Sequence, residues 1–286
     1  MMREGGDEHD PLLRVEHATY RYPAARGGPP ALDDVSVQIR RGEYVALVGH
    51  NGSGKSTLAR LLNGLLIPDG GRVLVAGLDT RRASTRPRIR ELVGMIFSDP
   101  DNQIVATIVE DDVAWGLAAR GWPRERITER VRVALEAVNL SYAAGRPPHE
   151  LSGGQRQRLA IAGVLALEPA CIVADEPTAM LDPRSRVEMS RLLAELNQSR
   201  GLTIVHATHA LEEVVMAGRV LVLERGRIAW AGTPAALFAD LRRLRSLRLV
   251  VPALAELGER LRALGVALPL DAITPEAVVA ALEVQP

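Results

Sequence analysis

Tyr44-Val45-Ala46-Leu47-Val48 runs directly into Gly49-His50-Asn51-Gly52-Ser53-Gly54-Lys55-Ser56-Thr57, and this stretch decides the fold. Five apolar residues without alternation predict a strand buried on both faces, the habit of parallel sheets. The glycines behind it let the backbone curl until successive N–H groups point at one anion. A helix opens there and adds its positive N-terminal end. The run from Gly49 to Ser56 satisfies the phosphate-loop pattern, in the strand–loop–helix context that confirms it. Lys55 is then expected to reach the β- and γ-phosphates of a nucleotide, and Ser56 to bind Mg²⁺. The alternative, a glycine-rich turn with a chance lysine, requires strand, spacing and helix to agree by accident.

Composition sharpens the point about Lys55. The 286 residues hold 35 Lys plus Arg and 35 Asp plus Glu, and Lys55 is the one lysine. Arginine is a planar fork and lysine a compact point charge, so the exception falls where a tight backbone nest has room for an ammonium. Zero formal net charge and 3% aromatics argue against a nucleic-acid partner, which calls for basic excess or stacking platforms. The single cysteine, Cys171, allows no internal disulfide and fits a reducing compartment. Residues 1–10 read as a flexible polar tail, with no secretory signal. No apolar run approaches the roughly 18 residues of a membrane helix, so any membrane role calls for a separate membrane subunit.

Working outward, further strands are expected at Arg14–Tyr20, Val35–Ile39, Arg72–Ala76, Leu92–Phe97, Cys171–Asp175, Thr203–Thr208, Arg219–Glu224 and Arg227–Ala231. A turn cluster, Ala24–Pro30, separates the first two. Helices are expected at about 107–119, 124–139, 154–167 and 183–199, the last opening on Pro183. Apolar strands alternating with helices predict an α/β domain with a parallel sheet, over residues 11–240. Residues 241–286 change character to a helical, proline-broken extension. Arg81, Arg82, Arg86, Arg88 and Arg90 read as a solvated face, or one meeting anionic headgroups or a membrane subunit.

Two more segments carry chemistry. Asp175 and Glu176 stand at the C-terminal end of an apolar strand, the end where open α/β sheets bind ligands. Asp175 suits a partner of Mg²⁺ and Glu176 a base that polarises water. Leu151-Ser152-Gly153-Gly154-Gln155 stands at a helix start, where an ordinary N-cap by Ser152 explains it as well as phosphate reading does.

Together these motifs make the chain resemble the nucleotide-binding subunits of ATP-binding cassette (ABC) transporters, over about residues 12–240. The resemblance implies a P-loop NTPase fold, RecA-like, with an antiparallel β-subdomain and a helical subdomain, and ATP hydrolysis with Mg²⁺. It implies that Leu151–Gln155 of one subunit caps ATP held on the phosphate loop of another, so a dimer is needed. Tyr22 matches the adenine-stacking aromatic, with Tyr20 as competitor and packing on the β-subdomain as the plain alternative. His209 matches the switch histidine that contacts the γ-phosphate and orients Glu176 or water. His206, three residues earlier, suits a satisfied core histidine better than a metal pair. Asp182 matches the loop that speaks across the dimer, and equally an N-cap for the helix opening at Pro183.

Two positions depart from the family. Ala210 stands where an acid usually follows the switch histidine. Ser98 stands where a glutamine normally senses Mg²⁺ and the attacking water, and its hydroxyl is too short to copy that reach without a bridging water. Gln103, five residues on, is no obvious replacement as a metal contact. The run GHNGSGKSTLARLLNGLL (49–66), the run VGMIFSDPDNQIVATIVEDDVAWG (93–116) and the tail resemble the energy-coupling factor branch, importers of cobalt, nickel or vitamins. That branch implies a peripheral subunit at the cytoplasmic face of the cell membrane, partnered by a second ATPase subunit, homo- or heterodimeric. Its other partners are an integral membrane transporter and substrate-binding membrane subunits, and its C-terminal extension brings the ATPases together. The rivals are a soluble cassette of DNA repair or translation, and a binding-only regulatory cassette. The lack of a heptad run or a second phosphate loop argues against the first, and Lys55 with Glu176 against the second.

Overall fold

In the computed structural model, which describes residues 10–23, 28–270 and 272–283, the chain runs through β1 (Leu13–Tyr20), β2 (Leu32–Ile39), β3 (Tyr44–Val48), α1 (Lys55–Leu62), β4 (Gly70–Val75), β5 (Leu78–Asp79), α2 (Arg86–Leu92), β6 (Val93–Ile96), α3 (Val109–Ala118), α4 (Arg124–Ala137), α5 (Gly153–Ala166), β7 (Cys171–Asp175), α6 (Pro183–Arg200), β8 (Thr203–Thr208), β9 (Arg219–Glu224) and β10 (Arg227–Gly232). It closes with α7 (Pro234–Phe238), α8 (Leu241–Ser246), α9 (Ala253–Ala263) and α10 (Pro275–Glu283). Residues 1–9 of the expected tail and residues 24–27 of the turn cluster lie outside the described residues.

The strands form two sheets. One is four-stranded and antiparallel, in the order β2-β1-β4-β5, and the other six-stranded, in the order β10-β9-β3-β8-β7-β6. In the larger sheet β3 runs parallel to both β8 and β9, β7 to β8 and β6 to β7, and only β10 is antiparallel. β3, β7 and β8 are buried at every position, which is why their sequences show apolar runs and not alternation.

Successive side chains of a strand point to opposite faces, so β3 feeds two cores. Val45 and Leu47 join Leu58, Leu61 and Leu62 of α1 and the inner face of the small sheet, including Leu13, Leu32 and Val73. Tyr44, Ala46 and Val48 join the other core, built from α3, α4, α5 and α6. Each fully buried leucine of α1 contributes about 2 kcal/mol, so the helix behind the phosphate loop is firmly seated. Leu241, Leu244, Leu249, Ala255 and Ile273 pack into the second core as well, and Arg191 pairs with Glu276 at 3.8 Å. The C-terminal helices therefore lie against the body.

Two elements differ from the sequence reading: the two-residue strand β5 and a helix that follows it. Within the arginine-rich segment, Arg86–Leu92 forms α2, with Pro87 in its first turn. Only Ile89 of this helix is buried, so it offers no apolar period to read. Its arginines find local partners: Arg86 donates to Thr80 O at 3.0 Å, and Arg88 pairs with Glu91 at 2.7 Å.

Candidate nucleotide site

Strand register brings the phosphate loop and the acidic pair together. Val48 of β3 pairs with Thr208 of β8, and Ala207 of β8 pairs with Asp175 of β7. The residues that follow these three strand ends, Gly49, His209 and Glu176, are thus thrown onto one edge of the sheet. This is the C-terminal edge, where ligands of open α/β sheets bind.

The loop itself holds two glycines in left-handed backbone. Gly54 has φ +110°, and a Cβ there would lie 2.6 Å from Ala31 O. Gly52 has φ +80°. Both conformations are open to glycine and strained for other residues. Asn51 and Gly52 form the exposed rim and His50 is half-buried, whereas Ser53 is fully buried, and its Oγ has no hydrogen-bond partner among the described residues.

Lys55 is 4% exposed and its ammonium is enclosed. Nζ donates to Gly49 O at 2.8 Å and to His50 O at 3.3 Å, and stands 3.2 Å from Glu176 Oε1. Ser56 Oγ donates to Asp175 Oδ1 at 2.7 Å. Burial pushes the Asp175 carboxyl above the usual carboxylate range, the Glu176 charge adds to this, and the Ser56 hydroxyl, Arg60 and Lys55 oppose it. Glu176 Oε2 lies 3.2 Å from His209 Nδ1, and His209 is exposed at its outer side. Glu176 sits at φ +50°, a left-handed backbone that a non-glycine residue adopts at a cost of about 1–3 kcal/mol. Bonds from Glu176 N to Ala207 O, 2.9 Å, and from Ala179 N to Glu176 O, 3.1 Å, hold it there.

The two tyrosines separate cleanly. Tyr20 is buried in the smaller core, while Tyr22 is half-buried and reaches the loop through its hydroxyl, 3.2 Å from Thr57 Oγ1. Their rings meet edge to face with centroids 5.0 Å apart, so Tyr20 braces Tyr22 from below.

The signature segment stands apart from this cluster. Ser152 caps α5: its Oγ accepts from Gln155 N at 3.3 Å, and Ser152 N donates to Gln155 Oε1 at 2.7 Å, a complete capping box. Gln155 Nε2 donates to Tyr142 OH at 2.7 Å. Leu151 is buried beneath. A Cβ on Gly153 would find only Leu181 Cδ2, at 3.9 Å. Asp182 caps α6 through Arg184 N and Ser185 N, both 3.0 Å, and accepts from Ser185 Oγ at 2.6 Å. These donors, Ser185 Oγ foremost, hold the Asp182 carboxyl below its usual range. Tyr142, Ser152, Gly154, Gln155, Asp182 and Ser185 line a cleft of about 410 Å³ that no residue of the phosphate loop enters.

Ser98 and Gln103 both lie beyond the end of β6. Gln103 is committed to the backbone: its Oε1 accepts from Phe97 N at 3.3 Å and its Nε2 donates to Met95 O at 3.2 Å. Gln157 of α5, which sequence reasoning passed over, donates to Phe97 O at 3.0 Å. His206 is fully buried, beside Tyr44 OH at 3.1 Å and Glu213 at 3.3 Å. Glu213 was passed over too, because in sequence it is one acid in an ordinary amphipathic turn.

Among the described residues no helix is long and apolar enough to cross a membrane. Residues 32–179 match the ABC transporter family. An energy-coupling factor transporter ATP-binding protein EcfA1 of Symbiobacterium thermophilum is 51% identical over 278 residues, covering 96% of this chain and 97% of its own length. The protein of the same description from Caldanaerobacter subterraneus is 45% identical and covers 94% and 97%. Among solved structures, cbiO1 of Clostridium perfringens, described as part of the ABC transporter complex cbiONQ, is 38% identical. It superposes with a TM-score of 0.77 over 88% of this chain and 100% of its own. The cassette MJ0796, in a dimeric post-hydrolysis state bound to ADP and Pi, is 29% identical with a TM-score of 0.71 over 78% and 99%. With its paired sheets and its phosphate loop on the sheet's C-terminal edge, the chain belongs to the ABC transporter family of ATP-hydrolysing cassettes, within the group of energy-coupling factor transporter ATP-binding proteins.

Proposed function

We propose that the chain energises an energy-coupling factor importer of a transition metal, such as cobalt or nickel, or of a vitamin, as a peripheral subunit on the cytoplasmic face of the cell membrane. The observation that carries this reading is the linked cluster Lys55–Glu176–His209 beside Ser56–Asp175, at the edge of the sheet where the phosphate loop opens.

Each residue has a role in that reading. The amides of Gly49 to Thr57 cradle the phosphates, and Lys55 balances the charge of the β- and γ-phosphates. Ser56 and Asp175 offer a hydroxyl and a carboxylate, the oxygen donors that Mg²⁺ takes, so the residues present fit that ion. When bound there, Mg²⁺ neutralises charge on the phosphate oxygens. Glu176 accepts a proton from the attacking water, and His209 keeps its carboxylate aimed and contacts the γ-phosphate. Tyr22 stacks on the base. Leu151–Gln155 and Asp182 contribute to ATP held by a second ATPase subunit, and the helices after residue 241 add to that contact. Integral membrane subunits receive the resulting motion and carry the cargo; no nucleic acid is involved. The alternative of a soluble cassette in DNA repair or translation has no observation in its favour.

Glu176→Gln tests the reading. Hydrolysis is expected to fall by about 10²–10⁴-fold while ATP binding and ATP-driven dimerisation persist. Wild-type turnover in this variant overturns the role of Glu176.

A further inference from the structure

One buried polar network lies directly beneath the cluster and belongs to none of its motifs. Its centre is Glu213, 6% exposed, in the six-residue 3-10 helix Leu211–Met216 that follows the switch loop. Thr208 Oγ1 donates to Glu213 Oε2 at 2.8 Å. The same hydroxyl oxygen accepts from Ala210 N at 3.0 Å. His209 therefore sits between two residues that are both tied, through one hydroxyl, to one carboxylate. On the other side His206 Nε2 faces Glu213 Oε2 at 3.3 Å, while Tyr44 OH stands 3.1 Å from His206 Nδ1.

Burial opposes ionisation of Glu213, yet neighbouring groups, the His206 ring first and then the Thr208 hydroxyl among them, outweigh it and hold the carboxyl below its usual range. Glu213 Oε1 and His206 Nε2 make no hydrogen bond among the described residues, so Thr208 is the point of attachment. A buried carboxylate that stays charged and binds a loop from below restrains it.

We infer that Glu213 is a positioning residue for hydrolysis, clamping the loop of His209 through Thr208. Ala210 stands where the family resemblance leads one to expect an acid, and Thr208, tied to the buried carboxylate, holds the Ala210 N–H from inside. The consequence is kinetic, because a displacement of about 1 Å between reacting groups costs up to roughly 100-fold in rate. Glu213 touches neither phosphate-loop amides nor Tyr22, so nucleotide affinity lies outside its reach. The inference rests on the roles proposed above for Glu176 and His209.

The test uses the full-length chain in its assembled transporter. Glu213→Ala and Thr208→Val break the network from either end, the second without changing side-chain shape. Each is expected to lower kcat about tenfold or more and leave KM for ATP within about twofold. Each is then combined with His209→Ala. Residues acting through His209 lose nothing further once it is gone, so the double variants are expected to fall within about twofold of His209→Ala alone. If Glu213→Ala does not fold, Thr208→Val carries the same comparison. Wild-type kcat in a folded Thr208→Val, a rise in KM equal to the fall in rate, or fully additive losses in the double variants each overturn the inference. Wild-type turnover in His209→Ala overturns the site assignment itself, and the clamp with it.

Discussion

Lys55 and Ser152 both stand where a glycine-rich turn enters a helix, yet they are secured in opposite ways. Lys55 is enclosed, and its ammonium reaches two carbonyls of its own loop and a carboxylate at the end of β7, more than a hundred residues away. Ser152 bonds to Gln155, and Gln155 to Tyr142, all within one stretch of chain. The first turn is a place where distant elements converge. The second is preformed, capped and turned outward, with only Leu181 in contact range of a Cβ at Gly153. One half can hold a ligand by itself; the other has the build of a surface presented to something outside the subunit.

The largest effect is expected where convergence is greatest. Lys55→Arg conserves charge but puts a broad guanidinium into a nest sized for an ammonium. Turnover is expected to fall below about a thousandth of wild type, with ATP affinity weakened at least about tenfold, since a misplaced cation weakens the phosphate contact in ground and transition states alike. Titration with nucleotide alongside a steady-state assay checks both. Near-normal activity would return the lone lysine to a coincidence of composition.

Gly153→Asp probes the outward half. The first turn of a helix favours an acid, and nothing crowds a side chain there, so the fold and the subunit's own ATP affinity are expected to stay within about twofold of wild type. A carboxylate facing a partner's phosphate is unfavourable, and hydrolysis by the assembled pair is expected to drop about 100-fold. If ATP binding to a single subunit weakens as much as hydrolysis does, the two halves are not separate and the contrast fails.

Tyr22 belongs to the first half but lies at its rim. Tyr22→Ala is expected to raise KM for ATP about 3- to 10-fold with kcat nearly unchanged, the worth of one stacking contact. Tyr22→Phe keeps the ring and loses only the bond to Thr57, so its KM is expected to remain within about twofold. Equal losses in the two variants would assign the effect to the hydroxyl.

How much of this was legible in the sequence follows the same division. The phosphate loop reads directly, because glycine spacing, flanking strand and following helix are all local. Glu176 was placed by its position at a strand end, and Tyr22 was preferred to Tyr20, which the structure buries. The caps at Ser152 and Asp182 were local too. Glu213 and Gln157 escaped, since each acts through tertiary neighbours and no spacing rule marks a lone acid or glutamine on a helical turn. His206 read correctly as a core histidine, but its facing carboxylate was out of reach. α2 was missed because seven residues with one buried position carry no period.

The smallest expected effect concerns Ser98, and it tests how the site signals outward. Its neighbour Phe97 is clamped on both sides, by Gln103 at its N–H and Gln157 at its carbonyl, so the backbone here is fixed independently of position 98. The Ser98 side chain makes no hydrogen bond to another described residue, and a water is needed to carry any contact to the nucleotide. Ser98→Ala removes that water's partner and is expected to lower coupled ATPase and uptake about twofold. Ser98→Gln spans the distance directly and is expected to raise both by a similar factor, with ATP affinity unchanged. Because the clamp at Phe97 is untouched in either variant, a change in rate reports the side chain at 98 alone. If neither variant alters hydrolysis or uptake, signalling to the membrane subunits bypasses this position and runs through the braced backbone between Gln103 and Gln157.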